Sequence, residues 1–375
     1  MRRLIAICMS VTLALALGSV RHPARADDPV FKIGVVASLS GAFAIAAKDS
    51  IDGVQAWAKN RGLPGKKIVF ETLDDETNPV NAANAFRRLA SDPDVKLIYL
   101  LIPSNSALAV KSFASEYKIP IISGGGADTL GVPADPWLFK VSPANRDYMI
   151  AVSEYMKKKG YKRLASLYST DAYGQFDISN LRDLAPKYGY EIVAAESFAV
   201  EDTNFNAQIA RIRAAKPDLI YSSASGRASI LFFKQYQQLG ITTPLIMTGA
   251  AISKPFFDAL GGADKADGVM TSVQLGVFGP KIGGDTARLY AEMEKTLGHT
   301  PAYFNAFGYD VGLITEAAVA GSDGTRQGIR DALEKLQNLP AVNGPVTYRP
   351  GDHTGQDNRS IAIGKMINGV AVPAD

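Results

Sequence analysis

Short runs of β-branched and other apolar residues alternate along this chain with stretches in which apolar residues recur every three or four positions. The runs read as buried strands and the periodic stretches as amphipathic helices. Strands are expected at 31–37, 68–73, 97–101, 120–123 and 138–141, with helices at 47–61, 78–90 and 104–117. Asn78-Pro79 marks one helix start, the asparagine as cap and the proline in the first turn. Ala82, Ala83, Phe86, Leu89 and Ala90 then form a single apolar stripe. After a helix at 145–159 a second series begins. Its strands are expected at 164–168, 191–198, 219–222, 244–247 and 268–273, and its helices at 172–188, 204–215, 228–239 and 254–260. Helices at 284–297 and 304–320 follow, and a tail that is β-rich at 344–348 and 361–367. Two successive β-α-β-α series predict an α/β fold of two doubly wound, parallel-sheet lobes.

The first 26 residues break this pattern. Met1-Arg2-Arg3 is positive, Leu4 to Leu17 is apolar, and Ala24-Arg25-Ala26 is a small-x-small site, the three parts of an export signal. The apolar run is too short to span a bilayer comfortably, and no second one follows, so no membrane insertion of the mature chain is expected. Removing residues 1–26 takes away four arginines and no acid, so the 40 basic residues fall to 36 against 37 acidic ones. No basic stripe then remains to suggest nucleic acid. The single cysteine, Cys8, leaves with the signal, and with it any disulfide or thiol chemistry. What remains, about 350 residues, is long for a single core and fits two lobes.

Residues 97–128 carry the strongest chemical hint. Ser104 lies between a strand and the helix after it, and Gly124-Gly125-Gly126 follows the next strand. In an open parallel sheet both points fall at the carboxyl edge, where ligands bind. A serine at a helix start offers a hydroxyl beside free backbone N–H groups, which suits a carboxylate. The parts of an enzyme are missing by comparison. His299 and His353 lie in turn-like sequence, and there is no Gly-x-Ser-x-Gly elbow and no phosphate-binding loop. The glycine run lacks dinucleotide spacing, and Asp74-Asp75-Glu76 reads as a strand end and solvated turn rather than a metal site. No catalytic residue, cofactor or metal is therefore expected.

Six segments carry a family resemblance: Lys32-Ile33-Gly34-Val35, Leu39-Ser40-Gly41, Asp74 to Pro79, Asp171-Ala172-Tyr173-Gly174, Lys216 to Ile220, and Gly308-Tyr309-Asp310. In order and spacing the chain resembles the periplasmic solute receptors of branched-chain amino-acid-type ABC importers, the leucine/isoleucine/valine-binding family with the type I periplasmic binding fold. The resemblance implies two lobes joined by three crossings, with ligand in the cleft between them. The first lobe would comprise 27–143 and 275–343, and the second 144–274 and 344–375. It further implies a periplasmic location, a small-molecule ligand, an inner-membrane permease as partner, and action as a monomer.

The resemblance also assigns a site. The family's carboxylate-binding serine falls on Ser104, and its neighbouring backbone position on Gly125. Its amine-binding threonine falls on Ala127 and its amine-binding glutamate on Ala250, neither of which can serve an ammonium. A tyrosine that contacts amino acids falls on Ser225, which opens volume, while Tyr173 and Phe304 keep aromatic walls. Asn105 either bonds the ligand or helps cap its helix. Phe43 either stacks on a ring or closes the cleft mouth. Arg227 either clamps a carboxylate or lies solvated at the rim. An unpaired buried ammonium is costly. The expected ligand is thus a carboxylic acid without an α-amine, most simply an aromatic one of hydroxybenzoate or cinnamate type. An amino-acid receptor, or a sensing domain for a signalling partner, is the alternative. The export reading has a direct test: intact mass of the protein from an exporting host should match a chain beginning at Asp27, and a soluble mature form that keeps Met1 would overturn it.

Overall fold

The computed structural model describes residues 28–374, so the expected export signal lies outside the described residues. The chain begins with β1 (Val30–Ala37), α1 (Ala44–Asn60), β2 (Lys67–Asp74), α2 (Pro79–Ala90), β3 (Val95–Leu101), α3 (Ser104–Tyr117), β4 (Ile121–Ser123), α4 (Asp128–Gly131) and β5 (Leu138–Lys140). These strands form one parallel sheet in the order β2-β1-β3-β4-β5. A second lobe follows with α5 (Asn145–Lys159), β6 (Arg163–Ser169), α6 (Ala172–Tyr188), β7 (Glu191–Phe198), α7 (Asn206–Ala214), β8 (Leu219–Ser222), α8 (Gly226–Gln238), β9 (Leu245–Thr248), α9 (Lys254–Leu260) and β10 (Met270–Gln274). Its parallel strands run β10-β9-β8-β6-β7, the order of the first sheet over again. The chain then returns to the first lobe with α10 (Gly284–Leu297), α11 (Tyr303–Ala320) and α12 (Arg326–Glu334). A hairpin of β11 (Thr347–Arg349) and β12 (Asp352–Gly355) comes next, and β13 (Ile361–Ile367) and β14 (Val370–Pro373) end the described chain. Strand β13 adds antiparallel to β10 at the edge of the second sheet, and β14 adds antiparallel to β13.

Local chemistry accounts for many of these boundaries. The Asn78 side chain accepts hydrogen bonds from the N–H groups of Val80 (2.8 Å) and Asn81 (3.3 Å), and Pro79 occupies the first turn. Helix α6 starts on Asp171, whose carboxylate accepts from Gly174 N–H at 3.0 Å. The inner strands β3, β8 and β9 are buried on both faces, which is why they read as continuous apolar runs. Helix α12 escapes a periodicity reading because Ile329, Ala332 and Leu333 are its only buried residues, set among Arg326, Arg330, Asp331 and Glu334.

One expected boundary is corrected. The second lobe was expected to begin its last segment at 344, but the β11–β12 hairpin sits on the first lobe. Tyr348 hydroxyl donates to the Lys140 carbonyl at 2.8 Å, and the His353 ring stacks on Phe139 with centroids 4.2 Å apart. His353 is thus a core residue rather than part of an exposed turn. Its Nδ1 lies 2.9 Å from the Leu138 carbonyl and its Nε2 3.1 Å from Glu334. Burial of Tyr348 and His353 beside β5 holds the hairpin there. The third crossing therefore falls near Gln356, whose side chain hydrogen-bonds Gln274 at the second crossing.

One face of the first-lobe sheet packs on the helix pair α1–α11, with Trp57 and Tyr309 fully buried, and the other on α2 and α3. Helices α1 and α11 touch backbone to backbone. A Cβ at Gly308 would stand 1.8 Å from the Ser50 carbonyl oxygen, and one at Gly53 would stand 2.1 Å from that of Asn305. Asp310, buried on the same helix, accepts the N–H groups of Val342 (2.6 Å) and Asn343 (3.1 Å) and so ties down the loop before the hairpin. The Gly308-Tyr309-Asp310 motif is accordingly a packing device. Gly308→Ala should push the two helices apart and cost about 1–3 kcal/mol of stability. Chemical denaturation measures this directly, and an unchanged unfolding midpoint would contradict the close approach.

Candidate functional site

The two parallel sheets present the carboxyl ends of their strands to one another across a cleft. Within it lies a cavity of about 450 Å³, inside the usual range of roughly 300–1,000 Å³ for small-molecule sites. Its walls come from the segments after successive strands. The first lobe contributes Gly41 to Phe43 after β1, Ile102 to Asn105 after β3, Gly124 to Gly126 after β4 and Ser142 after β5, together with Tyr303, Phe304 and Phe307 of α11. The second contributes Ser169, Asp171 and Tyr173 after β6, Phe198, Val200 and Glu201 after β7, Ser223, Ser225 and Arg227 after β8, and Ala250 after β9.

Ser104 is the first residue of α3, after Pro103 in the cap position, and is only 4% exposed. Its Oγ accepts a hydrogen bond from Ala127 N–H at 3.1 Å. With that lone pair engaged, its own proton is free to donate into the cavity. The N–H groups of Ser104 and Gly126 have no acceptor among the described residues. Three donor groups without acceptors therefore belong to residues lining one end of the cavity. The glycine run is required by space: a Cβ at Gly124 would meet the Phe307 ring at 2.5 Å, and one at Gly125 would meet Leu130 at 2.5 Å. One at Gly126 would lie 3.1 Å from the Tyr173 ring of the other lobe.

Aromatic rings form the first-lobe wall. Phe304 meets Phe43 edge to face at 5.6 Å and Tyr303 at 4.9 Å. Tyr148 and Tyr303 share a hydroxyl–hydroxyl hydrogen bond of 2.8 Å across the lobes, and Tyr173 hydroxyl bonds Thr248 Oγ1 at 2.7 Å. Burial pushes the ionisation of Tyr148 and Tyr173 well above the phenol range and that of Tyr303 up to about 12, so all three stay neutral. Behind Tyr173, Asp177 accepts from Asn145 (2.7 Å) and Tyr221 (2.9 Å), and burial raises it to about 8.

On the second lobe, Ser223 Oγ accepts from Ser169 N–H at 2.9 Å, which again leaves its proton as a donor. Ser225 occupies the cap position of α8 without a side-chain capping bond. Arg227 is exposed and unpartnered among the described residues. Of the acids at the cavity, Asp171 is engaged by Ser169 Oγ and Gly174 N–H, while Glu76 and Glu201 are exposed. Asp74 and Asp75 organise the loop that carries Phe43: Asp74 accepts from Leu39 N–H and Ser40 Oγ, and Asp75 from Ser38 Oγ and Thr77 N–H. No cluster of metal-ligating side chains occurs among the described residues.

The cavity brings together Phe43, Ser104, Asn105, Gly125, Tyr173, Ser225, Ala250 and Phe304, and Arg227 at its edge. Ala127 is the exception. It is fully buried and does not face the cavity, because the chain there turns into α4 and passes behind Ser104. Its contribution is its N–H, not its missing hydroxyl. Asn105 has a role not expected for it: its Oδ1 accepts Ala172 N–H across the cleft at 2.9 Å. The residues that sequence reasoning missed are Tyr148, Tyr303, Phe307 and the serines 142, 169 and 223. The three serines shared one signal, a serine at or just beyond the end of a β-run.

The chain belongs to the periplasmic binding protein family, whose model matches residues 30–369. It is 22% identical to a Leu/Ile/Val-binding protein homolog of Brucella melitensis over 351 residues, covering 90% of this chain and 91% of the relative. Among solved structures, an extracellular ligand-binding receptor from Rhodopseudomonas palustris is 26% identical with a TM-score of 0.83, covering 92% of this chain and 99% of that one. An ABC-transporter solute-binding protein of the same species, solved with benzoate, is 23% identical with a TM-score of 0.82 and covers 92% and 95%. Solute receptors of this family are not enzymes. No helix among the described residues is long and apolar enough to cross a membrane.

Asp128 adds a further link between the lobes, its carboxylate accepting Arg146 N–H (3.1 Å) and the Asn180 amide (2.8 Å) from the second lobe. Asp128→Ala removes both bonds. Small-angle scattering of the unliganded variant should show a larger radius of gyration than the native protein, whereas equal radii would mean that these bonds do not hold the lobes.

Proposed function

We propose that the protein is a periplasmic receptor that closes around a small carboxylic acid lacking an α-amine and hands it to an inner-membrane ABC permease. The favoured ligand is an aromatic acid of hydroxybenzoate or cinnamate type. The observation that carries this reading is the donor end of the cavity. The Ser104 hydroxyl already accepts from Ala127 N–H and keeps its proton to donate, and the N–H groups of Ser104 and Gly126 lack an acceptor among the described residues. Donors without acceptors suit a carboxylate. Tyr173, Phe304 and Phe43 supply flat apolar walls, and stacking on such a ring adds roughly 0.5–1.5 kcal/mol beyond area burial. At Ala250, where the family's amine-binding glutamate falls, this chain has only a methyl group facing the cavity. The benzoate-bound neighbour supports the reading, since its shared architecture can enclose an amine-free ring acid. In this reading no bond is made or broken. The ligand bridges two lobes and draws the population to the closed form.

A second reading, an amino-acid receptor, is favoured by the acids Glu76, Asp171 and Glu201 along the cavity and by the Leu/Ile/Val-binding relatives. In that case one of these carboxylates takes the ammonium. Phenylalanine and 3-phenylpropanoate differ only at the α-position and separate the two. Calorimetry should show tight binding of the amine-free acid and weak or no binding of the amino acid. The reverse order restores the amino-acid reading. Ser104→Ala should cost about 1.5–3 kcal/mol of binding, as loss of a charge-assisted hydrogen bond. It should also cost about 1 kcal/mol of stability through the stranded Ala127 N–H.

A further inference from the structure

We infer that Lys140 is a positioning residue for the anion end of the cavity, acting through the Gly126–Ala127 peptide and the Ser104 hydroxyl. The inference rests on the carboxylate reading above. Lys140 ends β5 and is fully buried. No carboxylate among the described residues forms an ion pair with it. Instead its Nζ donates to three backbone carbonyls, those of Gly126 (3.0 Å), Pro143 (3.0 Å) and Ala127 (3.4 Å). All three ammonium protons are thereby used by neutral carbonyls, and no carboxylate touches the ammonium directly.

The position of that charge gives it a role. The Gly126 carbonyl and the Ala127 N–H are opposite ends of one peptide unit. Lys140 Nζ holds the carbonyl end, and Ser104 Oγ accepts from the N–H end at 3.1 Å. Ser104 then turns its own proton to the cavity. The ammonium, the peptide and the hydroxyl form three links in series, each polarising the next toward stronger donation. The same contacts fix the Gly126–Ala127 peptide and with it the lone pair on which Ser104 accepts. The bond to Pro143 ties the assembly to the first crossing between the lobes.

The charged groups nearest Lys140 come from every element around it: Asp128 on α4, Asp147 on α5, Asp352 on β12 and Lys111 on α3. Asp147 is itself raised to about 6, chiefly by burial. Burial also dominates at Lys140 and lowers it to about 8. It is charged at neutral pH and neutral in mild alkali, where the donor series loses its source. Anion affinity should fall across that interval. Stability should not fall with it. A lysine that binds its proton less tightly when folded contributes stability that grows as pH rises from the folded value toward the unfolded one of about 10.5.

The test is calorimetric binding of benzoate and of 3-phenylpropanoate between about pH 6.5 and about pH 9.5, with melting temperatures recorded alongside. The native protein should lose about fivefold or more in affinity as Lys140 discharges. Asp177 titrates in the same range behind Tyr173. Lys140→Arg separates the two, since arginine keeps its charge throughout and should abolish the decline. Lys140→Met should bind weakly at both ends of the range. A flat native profile, a decline that persists in Lys140→Arg, or native affinity in Lys140→Met near neutral pH overturns the proposal. Should Lys140→Arg fail to fold, Asp177→Asn makes the separation, because the decline should persist in it and its disappearance there overturns the proposal. Ser104→Ala distinguishes the two levels of the argument. If it binds both acids as the native protein does, or if neither acid binds the native protein, the carboxylate reading falls and the relay with it. If Ser104→Ala is weakened and the Lys140 variants are not, the relay alone falls.

Discussion

A parallel sheet sends every strand toward the same edge, and this molecule sets two such edges face to face. Nearly every wall of the cavity follows from that one constraint. The segments after β1, β3, β4 and β5 meet those after β6, β7, β8 and β9, so residues scattered from Gly41 to Ala250 converge without any long excursion of the chain. Backbone donors gather at the same edges because helices α3 and α8 begin there, and the first N–H groups of a helix lack partners within it. The chemistry of the site is thus largely backbone chemistry, and the side chains around it regulate how close the backbones come.

Glycine does much of that regulation. Gly124, Gly125 and Gly126 sit against Phe307, Leu130 and Tyr173, and Gly226 comes within reach of the Ala42 carbonyl across the cleft. Gly53 and Gly308 play the same part between α1 and α11, which carry Phe43 and Phe304 at their ends. The rings of Phe43 and Phe304 meet edge to face only because those helices lie so near one another.

The fold was legible in the sequence because parallel strands buried on both faces leave continuous apolar runs, and long amphipathic helices leave a clear period. Helices α3, α5, α6, α9 and α10 were read with the bounds they have. What escaped were elements whose reason is tertiary. Helix α12 has few apolar residues, and the β11–β12 hairpin is held to the first lobe by Tyr348 and His353, whose partners on β5 lie more than 200 residues away. The site was legible to the extent that it lies at strand ends: Ser104 and the glycine run announced themselves. Tyr148 and Tyr303 did not, since each sits in the first turn of a helix where nothing in the local sequence marks a cleft-facing ring. Asn105 could be read as a cap or a ligand contact, but its bond to Ala172 depends on the apposition of two lobes.

Ala127 shows how a substitution can mislead when judged by side chain alone. Compared by sequence, it is a hydroxyl lost from the amine side of the site. In the structure it is a peptide N–H that fixes which way Ser104 donates, backed by a buried lysine that touches only carbonyls. A salt bridge at that lysine would have neutralised the charge and with it the field that reaches the cavity. Three carbonyls solvate the ammonium without cancelling it. Burial makes such a charge costly, and the three carbonyls, with Asp128, Asp147 and Asp352 nearby, offset that cost directly behind the Ser104 end of the cavity.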